Sequence, residues 1–213
     1  MKGFLFDLDG TLVDTAIDMI AALKDLASEN NIFINPEYEK YKELITYGSK
    51  AIVTSIFGHL DNNEILKLQK RYLEIYREGL TKDSCLFEGV EKFIANLDKN
   101  AIPWGIVTNK PAYLAEPLIA SLKQLKNCQV LIGGDSTNYS KPHPEPIITA
   151  IQTTSIDPIK SWYIGDAESD ITAANAANMN SAVALWGYLR KEDKPNNWNA
   201  NKLLNHANEL FEL

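Results

Sequence analysis

The chain has 213 residues, with 28 acidic against 21 basic side chains and a net charge of −7. That length allows one large domain, or a medium one carrying a smaller insertion, and 45% apolar with 23% charged residues is the balance of an ordinary globular core. No cluster of lysine and arginine suited to a phosphate backbone is present, and the acidic surplus disfavours anionic surfaces, so neither nucleic acid nor membrane is expected as a partner.

The opening segment MKGFLFDLDG reads as a strand and not as a signal peptide, because Asp7 and Asp9 interrupt its apolar run. No stretch approaches the length of a membrane span. Cys85 and Cys128 lack metal-type spacing, which fits reduced thiols in a cytoplasmic protein. Nothing in the sequence calls for an obligatory protein partner.

Strand one is expected over Gly3–Leu8. Helical patterns follow at Ala16–Ala27, Pro36–Ile45, Lys50–Phe57 and Asn62–Leu80, and about seventy residues then separate strand one from the next strand–helix unit, far too many for a loop. They are read as a helical domain over residues 16–81, inserted into a core formed by residues 1–15 and 82–213. The core continues with strands at Pro103–Thr108, Val130–Gly133, Ser161–Ile164 and Ser181–Leu185, alternating with helices at Val90–Asn100, Pro111–Leu125, Pro146–Thr153 and Asp170–Asn178. Strands alternating with helices imply an α/β fold with a parallel sheet and right-handed crossovers. Residues Lys191–Asn201 read as a polar surface loop before a short final helix.

Four polar clusters sit at or just beyond expected strand ends, the edge where open parallel sheets bind ligands. The first is Asp7-Leu8-Asp9-Gly10-Thr11: two carboxylates two residues apart share one crevice. One carboxylate is a competent nucleophile toward phosphorus, and the other can pass protons to and from the reacting oxygens. The second, Thr108-Asn109-Lys110, offers a hydroxyl and backbone N–H groups to a phosphoryl oxygen, although Thr-Asn also makes an ordinary helix cap. The third is Lys141, between Ser140 and Pro142, a compact cation able to neutralise a phosphoryl group. The fourth is Gly165-Asp166-Ala167-Glu168-Ser169-Asp170. Carboxylates gathered at one edge repel unless a divalent cation intervenes, and oxygen-only ligands suit Mg²⁺. Asp170 has two readings, metal ligand and cap of the following helix. Together the clusters make a phosphoryl-transfer set.

In this order the motifs resemble those of the haloacid dehalogenase superfamily, along essentially the whole chain. The resemblance implies a Rossmann-like core with an inserted all-helical cap, and an Mg²⁺-dependent phosphatase working through an aspartyl-phosphate. Asp7 would be the nucleophile and Asp9 the general acid and then base, lending its carbonyl to the metal. Thr108 and the Asn109 N–H would hold phosphoryl oxygens, and Lys141 would neutralise charge. Asp7, Asp9, Asp166 and Asp170, the last directly or through water, would surround the metal.

Within the superfamily, Leu12-Val13-Asp14-Thr15 and Val107-Thr108-Asn109-Lys110-Pro111 are similar to bacterial phosphoglycolate phosphatases. Ala115-Glu116-Pro117, Trp186-Gly187-Tyr188-Leu189 and Glu192-Asp193-Lys194-Pro195-Asn196-Asn197-Trp198 resemble the subgroup acting on N-acetylmuramic acid 6-phosphate in peptidoglycan recycling. Glu168-Ser169 departs from the Arg-Asn pair common among the phosphoglycolate enzymes. The partner so implied is a small phosphorylated metabolite. In caps of this type a loop reaches the substrate, and Thr46–Lys50 stands at that place. Gly48, Ser49 and Lys50 would then meet substrate, the other reading being a plain helix–helix turn. A phosphosugar mutase and a catalytically silent binding module on the same fold are the competing readings.

Overall fold

A computed structural model describes residues 1–213. The chain forms two compact units, one of Met1–Val13 with Leu86–Leu213 and the other of Asp14–Cys85. It passes between them at two short strands, β2 (Val13–Asp14) and β3 (Cys85–Leu86).

The first unit is built on a six-stranded parallel sheet of order β5-β4-β1-β6-β7-β8. Its strands are β1 (Phe4–Phe6), β4 (Trp104–Val107), β5 (Leu131–Ile132), β6 (Trp162–Gly165), β7 (Asn180–Ala184) and β8 (Lys202–Leu204). The Phe4-Leu5-Phe6 run of β1 is buried throughout, as a central parallel strand covered on both faces requires. Helices α5 (Val90–Lys99), α6 (Ala112–Ser121), α7 (Glu145–Thr154) and α8 (Glu168–Ala176) make the crossovers. On α5 the residues Val90, Phe93, Ile94 and Leu97 are buried, the stripe expected at helical spacing. Phe93 meets Phe4 edge-on, with ring centroids 5.2 Å apart.

The order of strands places β1 between β4 and β6, so the sheet is entered in its middle and grows outward in both directions. Such a reversal opens a crevice at the carboxyl edge. Register sharpens this: Phe6 lies level with Ile106 and with Ile164. The residues just beyond, Asp7, Val107 and Gly165, therefore emerge side by side.

The sequence anticipated five strands, and the sixth, β8, is a finding. Only Lys202, Leu203 and Leu204 form it, too few for period-two alternation to be readable, and pairing with β7 defines it. The expected final helix is a run of 3₁₀ turns over Ala207–Glu212, and the polar stretch before β8 contains a short 3₁₀ turn at Pro195–Asn197 and a buried Trp198.

The second unit is helical: α1 (Ala16–Glu29), α2 (Tyr38–Ile45), α3 (Gly48–Phe57) and α4 (Asn62–Gly79). The Tyr72 hydroxyl on α4 donates to the Met19 carbonyl of α1 at 3.0 Å. Asp61 caps α4 with both halves of a capping box to Glu64 in place. Asp18, buried on α1, accepts from the amides of Asp83 (2.9 Å) and Ser84 (3.0 Å) and from the Ser84 hydroxyl (2.6 Å). No helix of either unit is long and apolar enough to cross a membrane.

Candidate active site

Asp7 is the first residue past β1, and its amide donates to the Ile164 carbonyl at 2.9 Å, which ties the strand end to β6. The chain then turns back at once: the Gly10 amide donates to the Val13 carbonyl and the Val13 amide to the Leu8 carbonyl. Gly10 has φ +82°, and a Cβ there would collide with the Asp166 carboxyl group. Glycine is therefore needed twice over, for the left-handed backbone and for the space.

Lys141 is buried, and Nζ donates to the Val107 carbonyl and the Tyr163 hydroxyl, each at 2.8 Å. The same nitrogen stands 2.6 Å from Asp170 Oδ1 and 3.0 Å from Asp7 Oδ1. The second contact has ion-pair distance without hydrogen-bond alignment, and Asp7 Oδ1 is buried with no hydrogen-bond partner. Burial acts to lower the pKa of Lys141, but the carboxylates of Asp170 and Asp7 outweigh it and the pKa is raised, so the group is an ammonium at neutral pH.

Asp166 and Asp170 are buried on either side of the start of α8. Asp166 Oδ1 accepts from the Thr11 hydroxyl at 2.9 Å, and Oδ2 from the Tyr188 amide at 2.8 Å. Asp170 Oδ2 accepts from the Ala167 amide at 3.0 Å, a helix-capping bond, while Oδ1 faces Lys141. The cap reading of Asp170 is thus satisfied by one oxygen and leaves the other for the lysine.

Thr108 and Asn109 follow β4. The Thr108 hydroxyl accepts from the Lys110 amide at 3.2 Å. The Asn109 side chain accepts from the Lys141 amide (3.0 Å) and donates to the Lys141 carbonyl (2.9 Å), clamping the backbone that carries the lysine. Lys110, nearly buried, reaches both oxygens of Asp9 at 3.0 and 3.3 Å.

Although Lys110 and Trp186–Tyr188 stand among its motifs, sequence reasoning gave these contacts to none of four contributors: the Asn109 side chain, Lys110, Tyr163 and the Trp186–Tyr188 turn. That turn lies far along the chain, yet its Trp186 indole donates to the Thr11 carbonyl at 3.1 Å, and a Cβ on Gly187 would collide with Asp166. Each acts through a backbone group or through a neighbour in space, and only the lysine beside Thr108-Asn109 could have been suspected from its position.

Asp7, Asp166 and Asp170 each offer a carboxylate oxygen within 4.8 Å of the others. Four carboxyl groups, those of Asp7, Asp9, Asp166 and Asp170, meet two ammonium groups, Lys110 and Lys141, a formal excess of two negative charges if all were ionised. Burial raises Asp7 to about 6, with Lys141 opposing and Asp170 and Asp9 adding to the shift. Burial, then Asp7 and Asp170, push Asp166 well above the usual carboxylate range. Such groups repel until a proton or a cation intervenes, and an oxygen-only set with one buried oxygen that accepts no hydrogen bond fits a hard divalent ion.

Gly48, Ser49 and Lys50 belong to the helical unit. Only Thr46 and Tyr47 make the turn, and α3 already begins at Gly48, whose φ of +78° completes the reversal, so the five-residue loop expected there is shorter. Ser49 Oγ accepts from Gln69 at 2.9 Å and Lys50 Nζ donates to Asn62 at 2.8 Å, both within the unit.

The family model of haloacid dehalogenase-like hydrolases matches residues 4–184. The chain belongs to this family. Over 99% of its length this haloacid dehalogenase-like hydrolase is 38% identical to a phosphoglycolate phosphatase of Xanthomonas campestris pv. campestris, covering 95% of that protein. Over its full length it is 34% identical to the N-acetylmuramic acid 6-phosphate phosphatase of Pseudomonas aeruginosa, covering 94% of it. The fold superposes on CbbY from Rhodobacter sphaeroides with a TM-score of 0.78 at 22% identity, covering 99% of this chain and 96% of that one. The expected Rossmann-like core is the fold observed.

Proposed function

We propose that the protein is an Mg²⁺-dependent phosphomonoester hydrolase that forms an aspartyl-phosphate on Asp7. The observation that carries this is the placement of Asp7 at the end of the central strand, with a buried carboxylate oxygen that forms an ion pair at 3.0 Å with the Lys141 ammonium. Asp7, Asp166, the Asp9 carbonyl and Asp170, the last directly or through water, would hold the cation, which would supply charge neutralisation for the phosphoryl oxygens.

An Asp7 oxygen attacks phosphorus, the ester P–O bond breaks, and Asp9 gives its proton to the leaving oxygen. Water then attacks the phosphorus of the aspartyl-phosphate, Asp9 takes its proton, and the Asp7 O–P bond breaks to release inorganic phosphate. Thr108 and the Asn109 amide hold phosphoryl oxygens, and Lys141 offsets the charge that builds on them. The helical unit is the substrate-selecting cap, with Gly48, Ser49 and Lys50 as its contacts.

The relatives' names support a small phosphorylated metabolite, either N-acetylmuramic acid 6-phosphate, which would place the enzyme in peptidoglycan recycling, or 2-phosphoglycolate. The test is kcat/KM with Mg²⁺ on these two esters and several hexose phosphates. A preference of about a hundredfold, ~2.7 kcal/mol in transition-state binding, assigns the substrate. No turnover of any ester refutes the reading, and transfer of the phosphoryl group to a second sugar in place of water would make the chain a mutase.

A further inference from the structure

Lys141 stands in the connection between β5 and α7, residues 133–144, which contains no helix or strand. No ladder of backbone hydrogen bonds holds it in place. Its own N–H and C=O both go to a single side chain: Asn109 Oδ1 accepts from the Lys141 amide at 3.0 Å, and Asn109 Nδ2 donates to the Lys141 carbonyl at 2.9 Å. The planar amide of Asn109 does here what the backbone of a neighbouring strand would do.

Asn109 is itself well fixed. It is the second residue beyond β4, and the chain on both sides of it is tied to the start of the same connection. The Thr108 amide donates to the Ile132 carbonyl and the Gly134 amide to the Lys110 carbonyl, each at 2.9 Å. A Cβ on Gly134 would collide with the Asn109 carbonyl oxygen, so the two segments run in direct contact. Asn109 is nonetheless exposed, and core packing gives no account of it. The reaction written above uses only its backbone N–H.

We propose that the Asn109 side chain is a positioning residue for Lys141: by holding both main-chain groups of the lysine, it fixes where the ammonium stands beside Asp7 and the phosphoryl group that Asp7 attacks. This rests on the phosphatase reading. A lysine ammonium is a point charge on a flexible four-carbon stem, so its place depends on where the main chain is anchored. Nζ stands 2.6 Å from Asp170 Oδ1 and 3.0 Å from Asp7 Oδ1. A main chain released from Asn109 passes its displacement along the stem to these contacts, and small displacements at a reacting centre weigh heavily on rate.

The experiment takes the full-length protein with Mg²⁺ and compares wild type with Asn109→Ala, which removes both bonds and keeps the backbone N–H. On p-nitrophenyl phosphate kcat is expected to fall about tenfold, with KM changed by less than about threefold and Tm lowered by only a few degrees. Calorimetric titration with orthovanadate, a mimic of the five-coordinate transition state, then gives Kd in the wild-type and Lys141→Met backgrounds. Asn109→Ala should weaken vanadate binding about tenfold where the lysine is present and by less than about twofold where it is not. A folded Asn109→Ala protein with wild-type kcat overturns the inference. So does an equal loss of vanadate affinity in both backgrounds, which would make the Asn109 side chain a ligand contact in its own right. Should Asn109→Ala not fold, Asn109→Ser, whose shorter side chain cannot span both main-chain groups, is judged by the same two criteria. A wild type that neither hydrolyses the ester nor binds vanadate sinks the phosphatase reading itself, whereas an active wild type indifferent to Asn109→Ala sinks only this inference.

Discussion

Asp7 is a carboxylate in a place that disfavours its charge. Its ordinary pKa of 3.8 is raised to about 6, chiefly by burial. Between about pH 4 and 6 the folded chain therefore binds more protons here than the unfolded chain does. By linkage, this group's contribution to stability falls as pH rises through that window, with the penalty complete above it. In chelator at pH 7, Asp7→Asn should raise Tm by several degrees and flatten the slope of Tm between pH 4 and 6, while leaving no measurable hydrolysis. Thermal melts over that pH range, run beside a phosphate-release assay, check both; a Tm equal to or below the wild type's at pH 7 counts against the electrostatic account. The sequence made Asp7 conspicuous through its Asp-x-Asp-Gly-Thr context. It could not show that Lys141 would stand 3.0 Å away, because 134 positions of chain separate the two and only folding closes that distance.

At the scale of elements, the strand ends were legible because burial on both faces leaves a continuous apolar run broken by a polar residue. Helices α1, α4 and α5 were legible from their spacing. Elements defined by pairing or by turns of two residues were not, as β8 and the start of α3 show. The return of the chain to α1 belongs to this second kind. Asp18 there is an unremarkable helical aspartate in the sequence, yet it receives three hydrogen bonds from Asp83 and Ser84. Asp18→Ala removes three hydrogen bonds whose donors, on Asp83 and Ser84, are partly open to water, each worth about 0.5–1.5 kcal/mol. A drop in Tm of several degrees is expected, with kcat per folded molecule little changed. A Tm within a degree of wild type would mean that water replaces the carboxylate without loss.

For the whole molecule the decisive quantity is charge. The crowding of carboxyl groups at the sheet edge, formally two more than the ammonium groups that meet them, predicts that Mg²⁺ stabilises the fold as well as enabling turnover. At a free concentration a hundredfold above Kd the gain is about 2.7 kcal/mol, and Asp7→Asn should show a smaller gain. Calorimetry with and without Mg²⁺ measures it. Excess chelator should abolish hydrolysis, and activity that survives it contradicts the mechanism.

By itself the sequence determined the α/β class, and it raised the expectation of an inserted helical segment and singled out Asp7, Asp9, Thr108, Asn109, Lys141, Asp166 and Asp170 as candidates. Those follow from local matters: which runs can be buried, and which side chains stand at their ends. Only the tertiary structure decided that β1 is central, that Asn109 clamps Lys141 by its backbone, that Lys110 holds Asp9, and that Tyr163 and the Tyr188 amide bond to the lysine and to Asp166. Each of these depends on strand order and register, which bring distant segments within hydrogen-bond range and which no local pattern encodes.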